Sequence, residues 1–218
     1  MVSKSSTSAV PVRARRKAET RAAILAAAFE LCSERGLDGP SIDEIAGRAG
    51  FTKGAFYASF DSKQDLFMTM IDERFAAAVA DLDEILSGDD PAAEAAAAAV
   101  QFVRRVNSAP GGPSLFFQFV AYAARDEDFR RRFADRYSSL HERIAAIYDR
   151  WARDFPKRPP VSIDEIVTMT SAMSNGFVLE QQIGGELDEQ LHGTMLAIFF
   201  RGLQAVAVGW EPPSSVDS

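Results

Sequence analysis

Cysteine and histidine are nearly absent from this chain, at one and two residues. A lone Cys32 excludes an intrachain disulfide framework and a cysteine-based zinc site. It lies in an apolar helical run and reads as a buried structural thiol. His141 and His192 are far apart in sequence. No G-x-S-x-G, P-loop, H-E-x-x-H or Gly-rich dinucleotide fingerprint accompanies them. The reading is of no catalytic residues, no metal and no cofactor. No apolar run approaches the ~20 residues that span a bilayer. The start, MVSKSSTSAVPV, has no adequate apolar core for a secretory signal. These absences predict a cytoplasmic chain with no membrane partner. Period-two alternation is also missing, so the fold is expected to be all-α.

Charge is present but unevenly placed. The net charge of the 218 residues is −7. Residues 1–63 carry ten Lys/Arg against seven Asp/Glu, or +3, and the remaining 14 and 24 give −10. A basic end on an acidic body is the footprint of a chain that presents one end to polyanions. Residues 1–12 are rich in Ser, Thr and Val and are expected to be a disordered tail. Arg13, Arg15, Arg16 and Lys17 follow. They read either as a solubilising tail or as an arm reaching phosphate or the minor groove. Their place beside the first helix, expected from about Glu19 to Arg35, favours the arm.

The densest local signals lie in SIDEIAGRAGFTKGAFYASFDSKQDL, residues 41–66. Ser41 and Glu44 have the spacing of a capping box. Ile42, Ile45, Ala46 and Ala49 form an apolar stripe at helical spacing. Gly50 suits the left-handed position after a helix. Thr52 can cap a second helix, with Phe51 and Phe56 placed as a hydrophobic staple. Ser62 and Asp65 repeat the capping-box pattern for a third. Helix, tight turn, helix is the layout that places a second helix in the DNA major groove. Thr52, Lys53, Ala55, Tyr57 and Ala58 are its exposed candidates. Lys53 is suited to guanine O6/N7 and Ala55 to a thymine methyl. Ser41 reads as a cap that also offers a hydroxyl and a helix N-terminus to phosphate.

Residues 20–67 resemble the DNA-binding domain of the TetR family of bacterial one-component regulators. The matching pieces are Arg21 with Ile24 to Leu31, Glu34 to Gly36, Ser41 to Gly50, Phe51 to Phe60 and Ser62 to Phe67. Gly54 stands at the family's glycine. The resemblance implies that Tyr57 and Lys63 contact backbone phosphate. Ser59 departs from the pattern, because the family often has a phosphate-contacting histidine there.

The rest of the chain reads as helices separated by SGDDP, SAPGGPS and FPKRPP. Helix four is expected to run from Lys63 to about Ser87 as one piece. The expected domains are a tail over 1–12, a helix-turn-helix domain over 13–63, a helical body over 64–210 and a tail over 211–218. Residues 100–180 are rich in large aromatic and apolar side chains. Most build a core, yet the surplus also suits an apolar pocket. The family carries a small-molecule site in its helical body. Phe102, Phe117, Tyr122, Trp151, Met173 and Phe177 are the candidate lining. Arg104, Gln118, Tyr122, His141 and Asn175 are the polar candidates.

The last two helices carry apolar residues on more than one face, which calls for burial on both sides. The resemblance implies a homodimer through a four-helix bundle of these helices. Ser171, Leu196, Phe199, Phe200 and Leu203 are the expected interface. Small residues, Gly176, Gly193 and Gly202 among them, would permit close approach. The fold class expected is thus an N-terminal three-helix helix-turn-helix domain followed by a C-terminal helical ligand-binding and dimerisation domain. The function expected is a repressor that binds double-stranded palindromic operator DNA as a homodimer and is released by a small apolar or aromatic effector. An activator of the same architecture is the alternative. So is a small-molecule-binding or catalytic helical protein that no longer binds DNA.

Overall fold

The computed structural model describes residues 12–80, 82–86, 90–153, 159–184 and 187–206. Both terminal tails expected from sequence fall largely outside these residues, as do much of SGDDP and FPKRPP and the Trp151 side chain. Among the described residues every regular element is a helix. The chain divides into two compact units between Met70 and Ile71.

The first unit contains α1 (Val12–Arg35), α2 (Ile42–Arg48), α3 (Lys53–Tyr57) and the start of α4 (Lys63–Val79). Its core is Ile24, Leu31, Ile45, Phe56, Phe60, Leu66, Phe67 and Met70, all essentially buried. The α2–α3 turn forms as its glycine suggests. Gly50 takes φ 78°. Its amide reaches the Gly47 carbonyl at 3.0 Å, and the Phe51 amide reaches the Ala46 carbonyl at 2.9 Å. That pair of bonds is a Schellman motif, which satisfies two carbonyls left over at the end of α2.

Three expectations need correction here. Helix α1 starts at Val12, not near Glu19. Ala, Arg, Lys and Glu are strong helix formers, and Arg15 pairs with Glu19 one turn on at 3.5 Å. Arg13, Arg15 and Arg16 are therefore exposed helical side chains. The division of the chain comes after Met70, beyond the 63/64 boundary expected, because the first two turns of α4 bury Leu66, Phe67 and Met70. Helix four stops at Val79, and α5 (Leu82–Ile85) is separate.

The second unit adds α6 (Pro91–Ser108), α7 (Gly112–Ala123), α8 (Glu127–Ala152), α9 (Ile163–Gly184) and α10 (Glu189–Val206). Asp90 caps α6 by accepting the Ala92 and Ala93 amides, each at 3.1 Å. Ser162 and Glu165 form a reciprocal capping box on α9. Along α8, Phe129, Phe133 and Tyr137 stack at successive four-residue steps, with ring centroids 6.3 Å apart. Phe119, Phe129, Tyr148 and Phe177 are buried core, whereas Phe102, Phe116, Phe117, Tyr122, Phe133 and Tyr137 are half-buried. α6 packs mainly on α10. A Cβ at Gly193 would come within 3.1 Å of the Ala96 carbonyl oxygen, so Gly193 permits this close internal contact.

Residues expected at a subunit seam make contacts within the unit itself. Leu196 and Phe200 are 5% and 2% exposed and belong to the unit's own core. Phe199 and Leu203 pack against that core, and Ser171 lines an internal cavity. The apolar residues left outside are different ones. On α9 they include Met169, Leu179 and Ile183, the last 74% exposed; on α10 they are Leu191 and Ile198, the latter 67% exposed. No described helix is long and apolar enough to cross a membrane.

Candidate functional site

Two neighbouring caps set the outer face of the first unit. Ser41 Oγ accepts the Glu44 amide at 3.2 Å. Both donors of Ser41, its amide and its hydroxyl, go to Glu44 Oε2 at 2.8 Å. Glu44 also accepts from Arg35 at 2.8 Å. The Ser41 amide and hydroxyl, with Arg35, hold the Glu44 carboxyl down at about 2. Ser41 thus caps α2, with its amide and hydroxyl both donating to Glu44. Thr52 caps α3 by accepting the Ala55 amide at 3.3 Å.

Helix α3 is held from behind and open in front. Phe56 and Phe60 are buried with rings 5.5 Å apart. Arg21 is the clamp. It donates to the Ser59 carbonyl at 2.6 Å and to Thr69 Oγ1 at 3.0 Å, and its guanidinium lies 4.1 Å over the Phe60 ring. Sequence reading quoted Arg21 as part of the matching pattern but gave it no role. Its partners lie 38 and 48 residues away, beyond any local pattern. In front, Tyr57 is 51% exposed. Gly54 and Ala58 are exposed and Ala55 is half-buried. A Cβ at Gly54 would touch nothing closer than 3.7 Å. The chain itself does not demand glycine there, so the open space faces outward.

Lys53 carries an unforeseen partner. Its ammonium pairs with Asp43 of α2 at 2.8 Å, both side chains being exposed. The Asp43 hydrogen bond and charge raise the Lys53 pKa. Lys63 directs its ammonium to the Asp38 carbonyl at 3.5 Å and over the Phe67 ring at 5.4 Å. Ser59, at the family's histidine position, turns its hydroxyl back to the Ala55 carbonyl at 3.1 Å.

The second unit holds a cavity of about 140 Å³. Of the six side chains expected around it, Phe102 lines it. Tyr122 packs edge-on against Phe129 at 4.7 Å. Phe177 stacks on His192 at 4.8 Å. Met173 packs on the core cluster, and Phe117 meets Phe116 at 5.6 Å. None of these four lines the cavity. The wall instead includes Phe75, Phe116, Tyr137, Tyr148, Thr170, Ser174 and Asn175, with Arg74. Of the polar candidates Asn175 is there, whereas Arg104 pairs with Glu189 on the surface.

His192 stands behind this wall, fully buried. Its Nδ1 lies 3.0 Å from the Ala99 carbonyl and its Nε2 3.1 Å from Ser174 Oγ. A carbonyl only accepts, so Nδ1 carries the proton and Nε2 accepts from Ser174. Burial pushes the His192 pKa down, which keeps the ring neutral and this arrangement fixed.

Comparison with known proteins gives a consistent picture. Residues 24–70 match the family model described as bacterial regulatory proteins, tetR family. Residues 108–205 match the model for the C-terminal part of BetI-type transcriptional repressors. The chain is 30% identical over 178 residues to the HTH-type transcriptional repressor BdcR of Escherichia coli (strain K12), a span of 80% of this chain and 88% of that one. It is 48% identical over 54 residues to the HTH-type transcriptional repressor BepR of Brucella suis biovar 1 (strain 1330), covering 25% and 26% of the two chains. In fold it is similar to a TetR-family regulator of Rhodococcus sp., with TM-score 0.70 at 18% identity, over 86% of this chain and 99% of that one.

Proposed function

The chain belongs to the TetR family of bacterial regulatory proteins, a DNA-binding transcription regulator and not an enzyme, and from that premise we propose that it is an effector-released repressor. Two copies bind a palindromic operator. Each inserts α3 into a major groove, the two insertions one helical turn apart. The observation that carries this reading is the built recognition face. α3 is clamped from behind by Arg21 and presents Lys53, Gly54, Ala55, Tyr57 and Ala58 outward. Lys53 leaves Asp43 to meet a base edge, and exchanging one exposed ion pair for another partner costs little. Tyr57 and Lys63 hold phosphate. Thr52 caps α3, and Arg13, Arg15 and Arg16 add basic charge along α1. Ser41 acts as the cap of α2.

The two copies meet through the outward apolar residues of α9 and α10. Met169, Ala172, Gly176, Leu179 and Ile183 recur at three- and four-residue steps, the spacing of a bundle seam. Leu191, Ile198 and Gly202 follow the same rule on α10. A Cβ at Gly176 or Gly202 would meet nothing within 4 Å in the chain itself, which leaves room for a neighbour. The effector occupies the cavity, whose wall includes Arg74 and Phe75 of α4, the helix that begins at Lys63. Effector shifts DNA affinity only through its differential affinity for the two states.

A mobility shift with DNA from immediately upstream of the protein's own coding sequence tests this. The expectation is a discrete complex that survives excess unrelated DNA and disappears with a cavity ligand. A complex lost equally to unrelated competitor counts against a specific repressor.

A further inference from the structure

A charged side chain without a counter-charge lies in the wall of the cavity. Arg74 sits among apolar neighbours such as Phe75, Val79 and Phe116. Its guanidinium donates to the carbonyls of Pro110 at 3.4 Å and Gly112 at 2.6 Å. Those carbonyls belong to the α6–α7 turn, where Gly111 and Gly112 take φ 81° and 52°. Among the described residues Arg74 makes no ion pair. The acid two residues before it, Asp72, pairs with Arg136 at 3.0 Å. Burial pushes the Arg74 pKa down to about 10, which still leaves the group cationic at neutral pH.

A guanidinium has five N–H donors, and the two carbonyls take two of them. A partly desolvated cation whose partners are two carbonyls keeps donors for a further acceptor. Two further polar groups of the wall are Asn175 and Tyr137. Asn175 Nδ2 gives its hydrogen bond to the Tyr137 hydroxyl at 3.3 Å, so the Tyr137 proton remains to be given. Both residues line the cavity. The Tyr137 ring is 6.0 Å from that of Phe75, the residue next to Arg74. A donor-rich end on an apolar chamber calls for an acceptor with an apolar tail.

We propose that the cavity receives an amphipathic organic acid, with its carboxylate on Arg74 and its apolar body against Phe102, Val79 and Ile144. The assignment rests on the reading of the cavity as the effector site and refines it. The effector is an anion, where the −10 balance of the sequence beyond residue 63 points to a neutral or cationic one. One half-buried guanidinium in the cavity wall outweighs a diffuse surface charge, because solvent screens the latter more.

The test is titration calorimetry of the full-length protein with hexanoate, octanoate and decanoate, and with the primary alcohols of the same lengths. The expected result is that each acid binds roughly tenfold or more tightly than its alcohol, as a charge-assisted hydrogen bond provides. R74Q keeps an amide donor for the turn and removes the charge. It should erase the preference for acid over alcohol. R74K should retain part of it, and serves if R74Q does not give a helical circular dichroism spectrum. Equal binding of acids and alcohols overturns the proposal. So does a preference that persists in R74Q, or no binding in either series. A parallel mobility shift separates the two levels. Acids that bind without moving operator DNA leave the carboxylate site standing and count against the effector role. Alcohols that release DNA while acids do not bind leave the effector role standing and overturn the carboxylate site.

Discussion

Lys53 pairs with Asp43, so base reading by this lysine, as proposed, requires an exchange of partners. Lys53→Ala should weaken operator binding roughly ten- to hundredfold and relax preference at one base pair in each half-site. Tyr57→Ala should instead weaken binding alike on all sequences, since phosphate contacts carry no base information. Anisotropy titrations on operators with single base changes check both; a preference unaltered by Lys53→Ala confines that lysine to the ion pair. The caps act on stability. Ser41→Ala should cost about 1 kcal/mol, the usual value of an N-cap. Glu44 has its carboxyl pKa depressed to about 2 in the folded chain. Its contribution is present above the ordinary range near 4.5 and is lost as pH falls toward 2. Glu44→Gln should therefore flatten the decline of stability between pH 4.5 and 2. Urea melts across that window test it, and parallel curves for the two proteins would count against the capping role.

Helices α9 and α10 decide the quaternary prediction at the level of elements. Phe199→Glu with Leu203→Glu places charge against the unit's own core and should unfold it. Leu179→Glu with Ile198→Glu places charge on exposed positions and should give a folded monomer. Sedimentation with circular dichroism separates the outcomes, and a folded dimer of the second variant removes this seam. Local chemistry was legible in the sequence because its partners are three or four residues apart. The boxes at Ser41–Glu44 and Ser162–Glu165 and the turn at Gly50 form as their spacing predicts. Ser62 caps as expected, but the Asp65 carboxylate accepts the Asp61 amide at 3.4 Å. Aspartate is one methylene shorter than glutamate, so its reach differs. What sequence did not reveal joins distant residues. Arg21 with Ser59, Arg74 with Gly112 and His192 with Ala99 have no local signature. The cavity lining was missed for a related reason. An aromatic on α8 looks the same in sequence whether it stacks in the ladder, as Phe133 does, or also lines the cavity, as Tyr137 does.

The chain carries an acidic, cavity-bearing unit and a basic, helix-turn-helix unit. Linkage makes one consequence unavoidable: if a ligand lowers DNA affinity by some factor, DNA lowers ligand affinity by the same factor. Octanoate titrated into free protein and into the protein–DNA complex should show weaker binding to the complex. Equal affinities would mean that it is not an inducer. The account stands most directly on sequence-specific binding by two symmetry-related copies of α3, and binding-site selection from random duplex DNA measures this. The predicted result is a palindromic motif with half-site centres one helical turn apart. Selection with the Lys53→Ala protein should return the same spacing with one position in each half-site relaxed. Selection that enriches no motif, or a single unrepeated half-site, contradicts the account.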